Sequence, residues 1–348
     1  MSKIDSWGKK GEVWSHFFSN EALLETKRPQ IIAIVGAGGK SSLLFVLAHF
    51  LAHKQKKVLI ATTTKMYLPQ EEQVDKIVIG SLAKQLSVVG NFLQPGCIVA
   101  YAPAYENGKM LAITDKDLAA LYPLTDFIIL EADGAAGKPL KAPRSYEPAI
   151  PENADIVFHV SGFSAFTKTW RQACHKAERA RALLGITEDE VITEEDVARL
   201  LLHPLGGRKN IPQQAKLFYV LNQADQEEAM VKGRMLAHSL LQGGAEQVLL
   251  TCLAKRELKA VFRKNPLYAA IVLAAGEAKR MGGTKLLLPW KNGTILDATL
   301  QFVLNSPCQQ LVLVVGHEKE TLLQQTNCCG LEVAINSQYQ EGQSTSLK

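Results

Sequence analysis

The sequence predicts an α/β protein: a mainly parallel sheet with helices on both faces, followed by the start of a second α/β unit. Three observations carry that expectation. Short, wholly apolar runs alternate with helix-length stretches up to about residue 250, as strands buried on both faces do when joined by crossover helices. A glycine-rich turn follows the first apolar run at 36–39, and a second strand-then-glycine unit begins just after Asn265-Pro266. The chain therefore divides into 1–265 and 266–348.

Taken in order, strands are expected over 31–35, 58–61, 76–79, 97–101, 126–130, 155–160, 216–221 and 247–251, where apolar residues predominate. Between them, helices are expected over 40–53, 115–121, 194–202 and 226–241. Thr114, Thr187 and Thr193 stand before acidic first turns, as helix N-caps do. The Pro-, Gly- and Lys-rich stretch 134–151 follows a strand and is expected as an active-site loop. The chain shows neither an internal repeat nor a low-complexity segment. In the second unit, 268–273 is again a buried strand, and a glycine-rich turn follows it.

Composition narrows the class. Across 348 residues, 47% hydrophobic and 21% charged content is that of an ordinary globular protein, and a net charge of +5 is small for the length. The Lys54-Gln55-Lys56-Lys57 run falls at a helix end, where cations suit the macrodipole, so no nucleic-acid partner is expected. The first residues lack a signal-peptide core and no segment is long enough to span a bilayer, which points to a cytoplasmic protein without a membrane partner. Six cysteines, including the vicinal Cys328-Cys329, form no C-x-x-C pair and are expected as reduced thiols.

Gly36-Ala37-Gly38-Gly39-Lys40-Ser41-Ser42 has the chemistry of a phosphate cradle. Loop amides and the helix N-terminus attract anionic oxygens, Lys40 adds charge, and the Ser41 hydroxyl can ligate Mg²⁺. This G-x-x-G-K-S form is shorter than the usual P-loop and resembles the loop of Mur-type ligases, so the first unit reads as a P-loop-type sheet binding a nucleoside triphosphate, GTP or ATP, with Mg²⁺. A glycine turn with a solvated lysine is the bland alternative. The dinucleotide reading fails because Ser41 occupies the third glycine position and no ribose-binding acid follows the second strand.

Glu131-Ala132-Asp133-Gly134 ends a strand with two acids, the place where P-loop enzymes hold Mg²⁺ or its water; solvated strand-end acids are the alternative. Thr63, in Thr62-Thr63-Thr64-Lys65, is a candidate to position a water or sense the γ-phosphate, or else part of a hydroxyl-rich turn. Asn222-Gln223-Ala224-Asp225 resembles the N-K-x-D base reader of GTPases with glutamine in place of lysine; Asp225 as a helix cap is the competing reading. Lys141, in Lys138-Pro139-Leu140-Lys141-Ala142-Pro143, is the candidate clamp for a second phosphate-bearing ligand, against a proline-stiffened surface loop.

Together with Thr-Thr-Thr-Lys-Met, His203-Pro204-x-Gly206 and Leu-Asn-Gln-Ala-Asp, these motifs resemble the YqeC-type selenium-dependent molybdenum hydroxylase accessory family, from about Gly11 to Cys252. The resemblance implies a role in maturing the cofactor of those hydroxylases, with a molybdopterin-type cofactor and a molybdenum hydroxylase as partners. An NTPase, an ATP-dependent ligase or kinase, and a nucleotide-switched chaperone-like module are the three mechanisms it leaves open.

In the second unit, Leu273-Ala274-Ala275-Gly276-x-x-x-Arg280-Met281-Gly282-Gly283-x-Lys285 is similar to the signature of MobA-like nucleotidyltransferases, a Rossmann-like class. Gly276, Arg280 and Lys285 are the residues it implies for a triphosphate, CTP or GTP. Val314-Val315-Gly316-His317 and Asn336-x-x-Tyr339-x-x-Gly342-x-Ser344-x-Ser346-Leu347 are most similar to the molybdenum cofactor cytidylyltransferases. With 266–348 short for such a domain and its Gly-Asp metal motif not reached by Lys348, the expectation is an incomplete domain, inactive in transfer and prone to homo-oligomerise through open strand edges. Asp297 lies in an apparent helix start, too early to replace the missing acid.

Overall fold

The computed structural model describes residues 13–15, 17–19, 23–24, 28–264, 269–276, 285–290, 293–304, 308, 310–326 and 331–347. Nine strands form the main sheet: β1 Gln30–Gly36, β2 Val58–Thr62, β3 Lys76–Ile79, β4 Ile98–Ala102, β5 Phe127–Glu131, β6 Ile156–Gly162, β7 Lys216–Asn222, β8 Gln247–Cys252 and β9 Glu257–Arg263. Their order is β9-β8-β7-β6-β1-β5-β2-β4-β3. Every neighbouring pair is parallel except β8–β9, an antiparallel edge that the sequence reading does not anticipate.

The sheet is covered on both faces because its central strands are mostly apolar and β1, β5 and β6 are buried at every position. Ile32 and Ile34 of β1 point to one side, where Leu43, Leu47 and Phe50 of helix α1 (Lys40–His53) pack together with Trp14, Phe17 and Phe18. Ile31, Ala33 and Val35 point to the other, against helix α2 (Leu82–Phe92) through Val89 and helix α3 (Asp115–Leu121) through Leu118 and Leu121. Helices α4 (Ala177–Leu184), α5 (Glu194–Leu202) and α6 (Glu227–Gln242) cover the flank formed by β7 and β8. Helix α2 is not among those expected; only Leu82 and Val89 of it are buried, so its apolar stripe is thin.

Two of the three expected caps hold. Thr114 and Thr193 accept hydrogen bonds from the N–H groups of Asp117 and Asp196, each at 3.1 Å. Thr187 starts a turn rather than a helix, because the acids after it have other partners: Arg171 pairs with Glu188 and Asp189, and its N–H donates to the Glu188 carbonyl.

The order of strands locates the crevice. From β1 the chain first builds β2 to β5 on one side and then crosses to build β6 to β9 on the other, so the topology switches at β1. Loops leaving β1 and β5 diverge from those leaving β6 and β7, which opens a crevice at the carboxyl edge.

A smaller three-stranded parallel sheet follows, with β10 (Ala269–Ala274) and β12 (Glu332–Ile335) flanking β11 (Gln310–Val315). Helices α7 (Ile295–Leu304) and α8 (Lys319–Gln325) bury Leu296, Leu300 and Leu322 against Ala274, Leu313 and Val315. Strand β12 is exposed along its whole length. Among the described residues no helix is long and apolar enough to cross a membrane.

Candidate functional site

The glycine loop sits at the switch point because β1 ends at Gly36 and α1 begins at Lys40, leaving three residues to reverse direction. Gly38 and Gly39 have φ of 78° and 140°, values that a side chain would strain. The loop also has no room for one: a Cβ on Gly38 would lie 2.6 Å from the Gly162 nitrogen, and on Gly39 2.4 Å from Asn222 Nδ2.

The predicted acids converge on this loop from β5. The Ser41 hydroxyl donates to Glu131 Oε2 at 2.8 Å, and Lys40 Nζ lies 4.0 Å from Glu131 Oε1 while donating to the Gly36 carbonyl at 3.0 Å. Burial lifts the Glu131 carboxyl above the ordinary carboxylate range, against the opposing pull of Lys40 and the Ser41 hydroxyl. Asp133 lies deeper. Its Oδ2 accepts from the Gly36 N–H at 3.1 Å and is 3.3 Å from Lys141 Nζ; its Oδ1 is 3.3 Å from Lys40 Nζ. Both oxygens therefore face cations or the loop backbone.

Lys141, expected as a clamp for a second ligand, is turned inward. It is buried and bridges Asp133 to Glu147, with its Nζ 3.0 Å from Glu147 Oε2 and donating to the Gly134 carbonyl. At Glu147 burial works upward, but the Arg144 N–H and Lys141 prevail and hold its carboxyl below the ordinary range. His159 closes the cluster from β6, and burial pushes its imidazole down to about 4. Thr63 also points away from the loop, donating to the Ala149 carbonyl at 2.6 Å, while Thr62 donates to the Glu131 carbonyl at 2.8 Å.

A cleft of about 730 Å³ lies over this array. It is lined by 38–42, Glu131, the 134–138 loop, Asn222, Gln223, Asp225 and 252–254, with Lys65–Tyr67 and Lys109 on the far wall. Asn222 is the tie between the loop and β7: its Nδ2 donates to the Gly38 carbonyl at 2.8 Å, and its Oδ1 accepts from the Leu253 N–H at 3.0 Å. Asp225 is exposed in the cleft and does not cap α6, whose N-cap is Gln226. Gln223, at the position of the GTPase lysine, is bound to the Ser164 N–H at 2.9 Å. Among the described residues no group of three or more His, Cys, Asp or Glu side chains could hold a metal, so any cation here would depend on ligand oxygens besides Ser41 and Glu131.

Sequence reasoning missed Lys209, whose Nζ donates to the carbonyls of Arg144, Ser145 and Glu147 and fixes the long loop. It also missed the far wall. Asn107-Gly108, both at positive φ, is a hairpin turn signal between Tyr105-Glu106 and Lys109-Met110-Leu111 that was there to be read.

In the second region, Gly276 and Lys285 are exposed, whereas Arg280 lies outside the described residues, as do Met281, Gly282, Gly283, Cys328 and Cys329. The His317 N–H donates to the Ala275 carbonyl at 3.1 Å, and Asn336 Nδ2 reaches Thr345 Oγ1 and Ser346 Oγ, each at 2.9 Å. The motif residues of three separate segments thus meet at the carboxyl edge of the small sheet. Asp297 lies in the first turn of α7 and accepts from the N–H of Thr294, the residue before the helix, at 2.9 Å.

Comparison with known proteins finds a match in each region. A family model for MobA-like NTP transferase domains matches residues 270–348. Over 79 residues the chain is 37% identical to the molybdenum cofactor cytidylyltransferase of Escherichia coli (strain K12), covering 22% of this chain and 41% of that one. Over 82 residues it is 28% identical to the nicotine blue oxidoreductase of Paenarthrobacter nicotinovorans, covering 23% and 40%. The chain therefore spans about two fifths of these two relatives. The larger unit matches more fully. The model of the YqeC protein family covers residues 32–178, from β1 to the start of α4. The chain is 33% identical over 227 residues to "Uncharacterized protein YqeC" of the same E. coli strain, covering 64% of this chain and 88% of that protein. With the glycine loop, both acids and the 134–151 loop inside the matched region, this chain belongs to the YqeC family.

Proposed function

We propose that residues 1–265 bind and hydrolyse a nucleoside triphosphate with Mg²⁺, in the cytoplasm, as an accessory step in maturing the molybdopterin-type cofactor of selenium-dependent molybdenum hydroxylases. The observation that carries the nucleotide reading is the convergence of Lys40, Ser41 and Glu131 with Asp225 on one cleft at the switch point of the sheet. Loop amides and Lys40 would hold the β- and γ-phosphates. Ser41 and Glu131 would hold Mg²⁺, which when bound supplies neutralising charge at the phosphates; the buried Glu131 gains most from a cation, since desolvation is what raises its pKa. Asp133 acts as a positioning residue, because it fixes Lys40 and the Gly36 N–H rather than facing the cleft. Asp225 would accept from a guanine edge, with Asn222 keeping it in register with the loop.

The link to molybdenum rests on the family and on the second region's likeness to a molybdenum cofactor cytidylyltransferase. Gly276 and Lys285, with Arg280, are assigned to a triphosphate, CTP, which this region is proposed to bind.

The test is a calorimetric panel of GTP, ATP and CTP with and without Mg²⁺. GTP is expected to bind best at the first site, and Lys40→Ala to weaken it by about 2 kcal/mol, the scale of a lost charge-assisted hydrogen bond. Equal affinity in the variant rejects the reading. Product analysis then separates hydrolysis from ligation, which would yield a new bond alongside the diphosphate.

A further inference from the structure

The wall of the cleft farthest from Asp225 has no role in the nucleotide site just described. It is a small antiparallel sheet, Lys65–Tyr67, Tyr105–Glu106 and Lys109–Leu111, whose first strand follows directly from β2. Strand alternation sorts its side chains. Met66 and Met110, directly paired, are buried at 3% and 0% exposure and anchor the sheet to the core. The neighbouring positions Lys65, Tyr67 and Lys109 therefore project the other way, and all three line the cleft. Tyr67 is 72% exposed, and Lys109, its cross-strand partner, places Nζ 4.6 Å from the ring centroid.

Charge on this wall is incompletely balanced. Lys65 pairs with Glu106 at 3.0 Å, but among the described residues neither Lys109 nor Lys138, across the cleft on the 134–138 loop, has a carboxylate within ion-pair distance. Lys138 lies on the other side of the glycine loop, beside β6: its ammonium donates to the Arg171 and Gln172 carbonyls, and the Pro139 carbonyl accepts from the Gly162 N–H. The loop leaves room: nothing lies within 4 Å of a Cβ built on Gly134 or Gly137.

We infer that Tyr67 and Lys109 form a second compartment for a flat organic anion, an aromatic or heteroaromatic ring bearing a phosphate or carboxylate. The ring would stack on the tyrosine held by its strand pair, and the anion would meet Lys109, which has no carboxylate partner among the described residues. The inference rests on the nucleotide reading only for the identity of the neighbouring compartment. Tyr67 is not the platform for that nucleotide's base. It follows β2, whereas Asp225 follows β7, and β5, β1 and β6 stand between them in the sheet. Four strand spacings amount to roughly 19 Å, with the glycine loop in the middle. A nucleotide whose phosphates sit on the loop and whose base reaches Asp225 extends away from Tyr67.

The probe is 1-naphthyl phosphate, titrated by fluorescence into the full chain with and without GTP and Mg²⁺, with 1-naphthoate as the carboxylate arm. Inorganic phosphate and 1-naphthol, anion without ring and ring without anion, are the controls. Saturable binding is expected for at least one ring-bearing anion, with both controls at least tenfold weaker. Tyr67→Ala and Lys109→Ala should each cost tenfold or more, Tyr67→Phe should stay within twofold of the parent, and GTP affinity should stay within twofold in all three. Tyr67 is exposed and its phenylalanine variant retains the ring, so a folding defect would show as a loss in both ligands and in the melting curve. Lys40→Ala separates the two sites: it should weaken GTP roughly thirtyfold and leave probe affinity within twofold of the parent. The inference fails if neither ring-bearing anion saturates, if Tyr67→Ala leaves probe affinity unchanged, or if that variant weakens GTP and spares the probe, which would make Tyr67 a base platform.

Discussion

Asp133 is held between two buried lysines, with all three side chains at most 6% exposed. A buried pair contributes little against a well-packed apolar alternative, but removing Asp133 leaves two buried lysines short of opposite charge, Lys141 with Glu147 alone and Lys40 with Glu131 at 4.0 Å. Asp133→Asn is therefore expected to lower stability by about 3 kcal/mol even without nucleotide, seen as a drop in the urea midpoint at unchanged slope. A residue serving only as a metal ligand would leave the nucleotide-free midpoint where it was. His159 contributes through pH. Its folded pKa, about 4, lies below the unfolded value of 6.5, so the unfolded chain binds the extra proton first. The stabilisation is full above pH 6.5 and is lost as pH falls from there towards 4, a difference on the order of 3 kcal/mol. His159→Gln should flatten the stability profile across that window, measured by urea unfolding at pH 7 and pH 5.

At the scale of elements, the glycine loop is rigid because three strands hold it: Asp133 from beyond β5, Asn222 from β7, and the β6 backbone, where the Ala37 N–H donates to the Val160 carbonyl at 2.8 Å. Gly38→Ala would drive a methyl into the Gly162 backbone at 2.6 Å, with φ at 78° adding strain. Backbone cannot swing aside as a side chain can, so the loop must move. We expect a loss of about 2 kcal/mol in stability and at least a tenfold loss in triphosphate affinity, by thermal unfolding and calorimetry. Element positions were legible throughout the sheet, since a wholly apolar run of five residues between polar turns has few other places to go. The exceptions were short or half-buried. The Lys65–Tyr67 strand buries one residue, α2 buries two, and β9 alternates as an edge strand does.

For the whole molecule, the two sheets have separate cores. The clusters under the nine-stranded sheet contain no described residue beyond Phe262, and the cluster of the small sheet starts at Ala274. Under the proposed division at 265, a chain ending there should fold, unfold in one cooperative step, and bind GTP within twofold of the full chain. The full chain should show a second, weaker transition in calorimetry, because six buried residues make a small core. A shortened chain that fails to fold would show that the second region supports the first.

The sequence by itself determined the alternation of strands and helices, the glycine loop, and the residue types available for phosphate and metal, because each depends on neighbours within a few positions. Only the tertiary structure decided which of those residues meet. Ser41 and Glu131 are 90 positions apart and touch because β5 is laid beside β1. The same crossovers turned Lys141 inward to Asp133 and Glu147, gave the Thr63 hydroxyl to the Ala149 carbonyl, and raised Tyr67 and Lys109 as a wall that no local pattern associates with the loop. A lysine beside a glycine loop seeks the nearest uncompensated carboxylate, and which carboxylate is nearest is set by strand order, a property of the whole sheet.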